Sequence, residues 1–252
     1  MYYKKGKVSL YYEKHGTNNT KILILPGWGN TRETFNYLIS CLEDYYTIYI
    51  LDYPGFGNSS FPNHDLTIYD YTKLIISFIK DNNIDNPTII SHSFGGRILT
   101  LMSGFYKIKL DKLIMIDVSP IKPRKSLFSL IKQYTYKFLK KISSILPNKI
   151  KKKYLQKLIN IFGSDDYKNL SINMQNTFKN IVNEDLYKYL KNISNETLII
   201  WGEKDIDTPL IYGKKIKKQI KNSALIVIPN SYHFPYLDYP ILIYKIIKEF
   251  LK

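Results

Sequence analysis

Two kinds of segment alternate along most of the chain. Seven are short apolar runs, several continuous as in strands buried on both faces of a sheet. They are residues 8–12, 22–25, 47–51, 88–90, 113–116, 197–201 and 224–228. Longer stretches between them, such as residues 67–80, repeat their apolar positions at helical spacing. The alternation predicts an α/β fold with a mostly parallel central sheet flanked by helices.

The alternation stops between residues 120 and 195. No strand pattern occurs there, and the apolar spacing predicts helices over 126–146, 149–162, 171–182 and 185–191, with a loop at 163–166. We therefore expect one α/β core made of residues 1–119 and 196–252. Residues 120–195 would form an all-helical insertion.

Charge is concentrated in the insertion. The chain of 252 residues carries a net charge of +16, and residues 120–195 hold 16 Lys and Arg against 4 Asp and Glu. Only three basic residues are Arg, the residue favoured for bidentate contacts to phosphates and guanine, so we expect no specific nucleic-acid partner. The basic helix 126–146 would suit a membrane surface or an anionic substrate. We favour an apolar face packed on protein with the lysines in water.

Cysteine content and hydropathy bear on location. The single cysteine, Cys41, excludes an internal disulfide and fits a reducing compartment. No apolar run approaches the roughly 20 residues of a membrane span, and no signal-peptide pattern follows Met1. We expect a cytoplasmic protein.

A strand, a sharp turn and a helix follow one another at residues 88–102. The turn reads Ser91-His92-Ser93-Phe94-Gly95-Gly96, with small residues two positions either side of Ser93. A nucleophile elbow needs this context, because strand and helix backbones nearly touch beside the serine. Ser93 is thus the candidate nucleophile.

A serine hydroxyl needs a histidine to take its proton and a carboxylate to orient that histidine. His233 is the one histidine after Ser93, and it follows the last predicted strand. Asp205 follows the strand before it, while Asp117 follows an earlier strand and stays open as the alternative acid. We expect no metal, because no cluster with ligand spacing surrounds the histidines, and no cofactor.

Five motifs in this order resemble those of the α/β-hydrolase family. They are Pro26-Gly27-Trp28-Gly29, the oxyanion loop; Asp52-Tyr53-Pro54-Gly55-Phe56-Gly57-Asn58-Ser59, a glycine-rich turn; the elbow at Ser93; Trp201 to Pro209, the acid turn; and Tyr232 to Pro240, the histidine turn. They span nearly the whole chain. Pro26 replaces the family's usual histidine and Ser91 its usual glycine; we expect both to be tolerated.

The resemblance implies a role for each residue. Ser93 would be the nucleophile, His233 the general base and acid, and Asp205 the orienting carboxylate. The backbone N–H groups of Trp28 and Phe94 would form the oxyanion hole, and Trp28, Phe94 and Phe234 are candidates to line the substrate pocket. The insertion 120–195 resembles the family's cap, or lid, over the site.

The predicted function is a cofactor-independent serine hydrolase that acts on a carboxylic ester or related small-molecule acyl substrate through an acyl-enzyme. A slow-turnover ligand-binding protein is one alternative, and a carbon–carbon hydrolase or lyase of the same fold is another. Arg97, after the elbow, also occurs in relatives that act on carboxylated substrates. The sequence does not decide between a monomer and a homodimer.

Overall fold

The apolar runs form one eight-stranded sheet. The computed structural model describes residues 1–122, 127–143, 147–162, 170 and 172–252. The strands are β1 (Tyr2–Lys5), β2 (Val8–His15), β3 (Lys21–Leu25), β4 (Thr47–Leu51), β5 (Thr88–His92), β6 (Leu113–Ile116), β7 (Thr197–Gly202) and β8 (Ser223–Ile228). Their order is β1-β2-β4-β3-β5-β6-β7-β8; β2 pairs antiparallel with both β1 and β4, and all other neighbours pair parallel.

The helices connect these strands. They are α1 (Asn36–Leu42), preceded by a 3₁₀ turn (Arg32–Phe35), α2 (Ile68–Asp81), α3 (Gly95–Gly104), α4 (Leu127–Ile142), α5 (Asn148–Phe162), α6 (Ile172–Asn183), α7 (Tyr187–Leu190), α8 (Ile211–Gln219), α9 (Pro235–Asp238) and α10 (Pro240–Leu251). The predicted mostly parallel sheet flanked by helices is confirmed.

Each central strand contributes side chains to two cores, because successive residues point to opposite faces of the sheet. In β3, Leu23 and Leu25 lie in the core that includes residues of α2, α3, α7 and α8. Ile22 and Ile24 lie in the core that α1 and α10 cover. Burial on both faces explains why these strands are continuous apolar runs rather than alternating ones.

The chain divides into two units. The first comprises residues 1–122 and 180–252, and the second residues 123–179. The predicted insertion of 120–195 is therefore longer than the second unit, since Leu186, Leu190 and Ile193 lie in the core of the first. In the second unit α4 packs against α5, and the described residues contain no strand. The loop expected at 163–166 lies outside the described residues.

No helix in the described part of the chain is both long and apolar enough to cross a bilayer.

Candidate active site

The serine turn joins β5 to α3. Ser93 has a φ of +47°, in the left-handed region that a side chain other than glycine adopts only when its surroundings enforce it. A Cβ added at Gly95 would lie 2.0 Å from the carbonyl oxygen of Leu25, and one at Gly96 would lie 2.2 Å from the side chain of Val118. Both positions need glycine for this reason. The turn leaves Ser93 half-buried at the carboxyl edge of the sheet.

Ser91 stands where the resembling motif has glycine. Its side chain is fully buried, and its Oγ donates a hydrogen bond to the carbonyl oxygen of Ile114 in β6, at 3.1 Å. The extra hydroxyl is thus satisfied within the sheet. It is bonded to the neighbouring strand and so is not part of the chain of contacts that begins at Ser93.

Ser93, His233 and Asp205 lie in one hydrogen-bonded row. His233 Nε2 is 3.0 Å from Ser93 Oγ, and His233 Nδ1 is 2.8 Å from Asp205 Oδ2. The three residues come from the loops after β5, β8 and β7, where the carboxyl ends of parallel strands meet. A carboxylate only accepts, so Nδ1 carries a proton and Nε2 is free to accept one from the serine.

Asp205 accepts more hydrogen bonds from the protein than Asp117, the other acid of the site. Its Oδ1 accepts the backbone N–H groups of Asp207 at 2.8 Å and Thr208 at 2.9 Å, and its Oδ2 accepts the Thr208 hydroxyl at 2.6 Å. Burial raises the pKa of Asp205, but the hydrogen bonds from His233 and Thr208 outweigh burial and hold it below its usual range. The carboxylate therefore stays charged beside the imidazole.

Asp117 directly follows β6, the strand next to β7, and lies close to Asp205. It is fully buried with a φ of +43°, and its Oδ1 accepts the backbone N–H of Gly202 at 3.0 Å. Its Oδ2 has no hydrogen-bond partner among the described residues. Burial, and then the nearby Asp205 carboxylate, raise the pKa of Asp117 to about 10. His233 makes its hydrogen bond with Asp205 and not with this second acid.

His92, the residue before Ser93, holds the backbone of His233 through a hydrogen bond. Its Nε2 donates to the carbonyl oxygen of His233 at 2.8 Å, and its Nδ1 is 3.4 Å from the hydroxyl of Tyr236. Burial, followed by the proximity of His233, lowers the pKa of His92 to about 3. His92 is thus a neutral donor that holds the histidine turn against the sheet.

The acid turn and the histidine turn pack directly on each other. A Cβ at Gly202 would lie 2.0 Å from the carbonyl oxygen of Tyr232, so only glycine permits this approach. Asp238 Oδ2 accepts both the Ser231 hydroxyl at 2.7 Å and the Tyr232 backbone N–H at 2.9 Å. This carboxylate shapes the turn just before His233.

The Pro-Gly-Trp-Gly loop lies against the serine turn. The carbonyl oxygen of Pro26 accepts the N–H of Gly95 at 3.0 Å, and a Cβ at Gly27 would lie 2.8 Å from His92 Nδ1. Phe94 is the residue that precedes α3, where a backbone N–H has no acceptor within the helix. Trp28 and Phe94, the predicted oxyanion residues, therefore lie in the turns that follow the neighbouring strands β3 and β5.

Aromatic side chains surround this loop. The Trp28 ring is half-buried and contacts the rings of Phe56 and Phe94 edge-to-face, at centroid distances of 4.8 and 5.1 Å. Phe94 is only 2% exposed, so its ring belongs mainly to the core. Phe234 is half-buried, with its centroid 5.2 Å from His233 and 4.9 Å from His92.

Arg97 and Asp52 have structural contacts. The Arg97 guanidinium donates to the carbonyl oxygens of Ser119, Ile181 and Glu184, and burial lowers the pKa of Arg97 to about 10. It therefore does not offer its charge to a ligand. Asp52 braces its glycine-rich turn, accepting the backbone N–H of Asn58 at 2.9 Å, and pairs with Arg32 at 3.0 Å.

Asp117, Asp205 and His233 also form the one group within the described residues whose atoms lie close enough to hold a metal ion, within 4.8 Å of one another. The contacts argue for a hydrogen-bonded relay instead. His233 Nδ1 faces Asp205, whose oxygens take N–H and O–H donors, and one Asp117 oxygen takes the Gly202 N–H.

Thr208 and Asp238 are contributors that the sequence analysis did not single out. Thr208 lies three residues after the acid, a spacing typical of a hydroxyl that caps its own turn, and this was the available signal. Its hydroxyl lies 2.6 Å from Asp205 Oδ2 and 3.4 Å from His233 Nδ1. Asp238 carries no comparable local signal, because it acts on residues six and seven positions earlier.

The parallel sheet, the strained serine turn and the histidine and acid loops at one edge define a hydrolase of the α/β class. A family sequence model described as alpha/beta hydrolase fold matches residues 21–164, more than half of the chain. The chain belongs to the α/β-hydrolase family, and the predicted membership is confirmed.

Relatives within the family differ in what they are named for. A pimeloyl-[acyl-carrier protein] methyl ester esterase of Wigglesworthia glossinidia brevipalpis is 30% identical over 94% of this chain and 95% of that protein. A 2-hydroxy-6-oxononadienedioate/2-hydroxy-6-oxononatrienedioate hydrolase of Pseudomonas putida is 22% identical, over 97% and 92%. The solved enol-lactonase of Burkholderia xenovorans, 15% identical, superposes with a TM-score of 0.77 over 100% of this chain and 99% of its own; it shows the fold alone.

Proposed function

We propose that this chain is a serine hydrolase that cleaves a carboxylic ester through an acyl-enzyme. The observation that carries the proposal is the row from Ser93 to His233 to Asp205, with separations of 3.0 and 2.8 Å. Both distances lie within hydrogen-bond reach, as a nucleophile, its base and an orienting acid require. No cofactor enters this chemistry.

Each step uses a group already in position. Ser93 Oγ attacks the ester carbonyl carbon while His233 Nε2 takes the hydroxyl proton, and His233 then returns that proton to the departing alcohol. Water attacks the acyl-enzyme by the same route and releases the acid. Asp205 accepts a hydrogen bond from His233 Nδ1–H throughout and stabilises the imidazolium that forms transiently.

The oxyanion formed during both attacks needs donors next to Ser93. The backbone N–H groups of Trp28 and Phe94 would supply them, since the oxyanion loop at residues 26–29 packs on the serine turn through the Pro26–Gly95 hydrogen bond. The half-buried rings of Trp28 and Phe234 are the better candidates to meet an acyl group, because the Phe94 ring is almost fully enclosed.

An ester is favoured over a carbon–carbon bond as the target. A relative 30% identical over nearly the whole chain is named as a methyl ester esterase. Arg97, which also occurs in relatives that act on carboxylated substrates, does not support such a substrate here, because its guanidinium bonds to three backbone carbonyls.

The test is fluorophosphonate labelling of the wild type, Ser93→Ala and Ser91→Ala, with p-nitrophenyl esters of graded acyl length assayed in parallel. Ser91 is the matched control, a serine two residues away whose hydroxyl is bonded to Ile114. We expect Ser93→Ala to lose labelling and to lower kcat by a factor on the order of 10⁴–10⁶. Ser91→Ala should keep both.

Two other results would change the proposal. Labelling of the wild type together with ester hydrolysis that stops after a single turnover, with the acid retained, would identify a slow-turnover ligand-binding protein. Labelling that persists in Ser93→Ala, or its absence from a folded wild type, would remove Ser93 as the nucleophile.

A further inference from the structure

The active site holds a second buried acid for which the serine mechanism has no role. Asp117 is 0% exposed and follows β6, the strand that lies between the serine strand β5 and the acid strand β7. Its carboxyl lies within 4.8 Å of the reactive atoms of Asp205 and His233. Two ionised carboxylates at this separation in a buried site would repel each other strongly.

The hydrogen-bond donors decide which of the two acids carries the charge. Asp205 accepts two backbone N–H groups, the Thr208 hydroxyl and the His233 ring N–H. Asp117 accepts one, the N–H of Gly202 on Oδ1. Because donors stabilise the ionised form, the negative charge belongs on Asp205 and the remaining proton on Asp117.

Protonation of Asp117 also accounts for a buried oxygen that otherwise lacks a hydrogen-bond partner. Asp117 Oδ2 is buried without a partner among the described residues, and a buried polar atom is normally satisfied. A hydroxyl at Oδ2 would be a donor facing the Asp205 carboxylate. An ionised Oδ2 would instead be a further acceptor in a cluster whose donors are already in use.

We propose that Asp117 is a protonated carboxylic acid whose Oδ2 hydroxyl donates a hydrogen bond to the Asp205 carboxylate, which makes Asp117 a positioning residue for the triad acid. The positioning role rests on the proposed esterase function; the protonation does not. The pair holds one proton and one negative charge at neutral pH.

The other titratable groups that face the pair are consistent with this arrangement. His233 donates its ring N–H to Asp205 and so favours the charge there. Burial makes the largest contribution to the raised pKa of Asp117. Asp238, from α9, adds negative potential that also disfavours a charge on Asp117. Tyr236 is nearby and neutral, since burial raises its pKa above the usual value.

The protonation is tested by infrared difference spectroscopy at pH 7, comparing the wild type with Asp117→Asn. The wild type should show one carboxylic-acid carbonyl band that Asp117→Asn removes and that shifts in D₂O. Asp52→Asn is the matched control, because Asp52 is equally buried but pairs with Arg32, so its replacement should leave that band in place. Absence of the band from the wild type would overturn the proposal.

The positioning role is tested by ester hydrolysis in Asp117→Ala and Asp117→Asn. An asparagine keeps a donor towards Asp205 and an acceptor for Gly202, and it tolerates the left-handed backbone at this position. We expect Asp117→Ala to lower kcat about 10- to 100-fold, the rate equivalent of one hydrogen bond to a charged group, with KM nearly unchanged. Asp117→Asn should restore kcat to within a few-fold of wild type with the same pH profile.

Each alternative has its own signature. If Asp117→Asn loses as much kcat as Asp205→Asn, Asp117 acts as an ionised triad acid and the proposal is wrong. If Asp117→Ala hydrolyses esters like the wild type, Asp117 has no positioning role. If Asp117→Ala does not fold, Asp117→Asn and the spectra still decide. A wild type that shows the band but cleaves no ester would refute the proposed function and leave the protonation standing.

Discussion

Replacing Arg97 by methionine gives a quantitative test of how the serine helix is anchored. The side chain projects from α3 and is only 4% exposed. Its guanidinium links two segments that are distant in the chain. It donates to the carbonyl oxygen of Ser119, just after β6, and to those of Ile181 and Glu184, at the end of α6. Methionine keeps most of the aliphatic stem and removes all three hydrogen bonds.

The size of the effect follows from these contacts. A hydrogen bond from a charged donor contributes about 1.5–3 kcal/mol, so the three together give a gross loss of about 5–9 kcal/mol. Methionine recovers part of this loss because no charge has to be desolvated. A net loss of about 3–5 kcal/mol in the free energy of unfolding is then expected, as for other buried charged networks. For a chain of this length that corresponds to a fall in Tm of about 6–20 °C.

The assay is urea unfolding followed by circular dichroism and tryptophan fluorescence, with Lys5→Met as the control. Lys5 pairs with Asp81 on the surface, so its replacement should leave the urea midpoint almost unchanged. A wild-type midpoint in Arg97→Met would refute the reasoning. Normal stability with a selective loss of activity on carboxylated esters would instead make Arg97 a substrate-binding residue.

Three further predictions concern the serine turn and the two acids. Gly95→Ala should prevent correct folding, because its Cβ would lie 2.0 Å from a backbone oxygen of Leu25; a soluble, active variant with wild-type Tm would contradict this. Asp205→Asn should lower kcat by a factor on the order of 10⁴ in steady-state ester hydrolysis, because the histidine loses its oriented tautomer. Asp117 should make stability fall as pH rises, since its native pKa of about 10 lies above its ordinary value of 3.8 and the native state alone keeps the proton. Wild type should lose about 1.4 kcal/mol per pH unit relative to Asp117→Asn between those values, measured as urea unfolding at pH 5, 7 and 8.5; parallel curves would refute it.

The parallel part of the fold could be predicted because burial on both faces of a sheet leaves a direct trace in the sequence. Runs such as 22–25 and 113–116 are apolar at every position, and both lie in central strands. The first strand, Tyr2–Lys5, was not predicted, because an exposed antiparallel edge strand leaves no such run. Strand order was also beyond reach, since it depends on packing between segments distant in the chain.

In the candidate site, too, some residues could be predicted from the sequence and others could not. Ser93, His233 and Asp205 could be named from local motifs, because each sits in a turn whose shape depends on neighbouring residues of the same turn. The structural contacts of Arg97 could not be predicted, because its partners, the carbonyls of residues 119, 181 and 184, carry no side-chain signature in the sequence. Hydrogen bonds to backbone carbonyls cannot be predicted from the side chains in a sequence.

The choice between Asp205 and Asp117 shows what decides a role when two residues have the same local pattern. Both are aspartates at the carboxyl ends of neighbouring parallel strands, within reach of one histidine. Asp205 begins a turn whose own N–H groups and threonine hydroxyl converge on its carboxylate, and these donors favour the charge there. Asp117 has one backbone donor and a neighbour that is already negative, so the same side chain favours the neutral form. In our proposal, the turn that follows each strand, and not the acid itself, therefore decides which aspartate orients the histidine and which one is protonated.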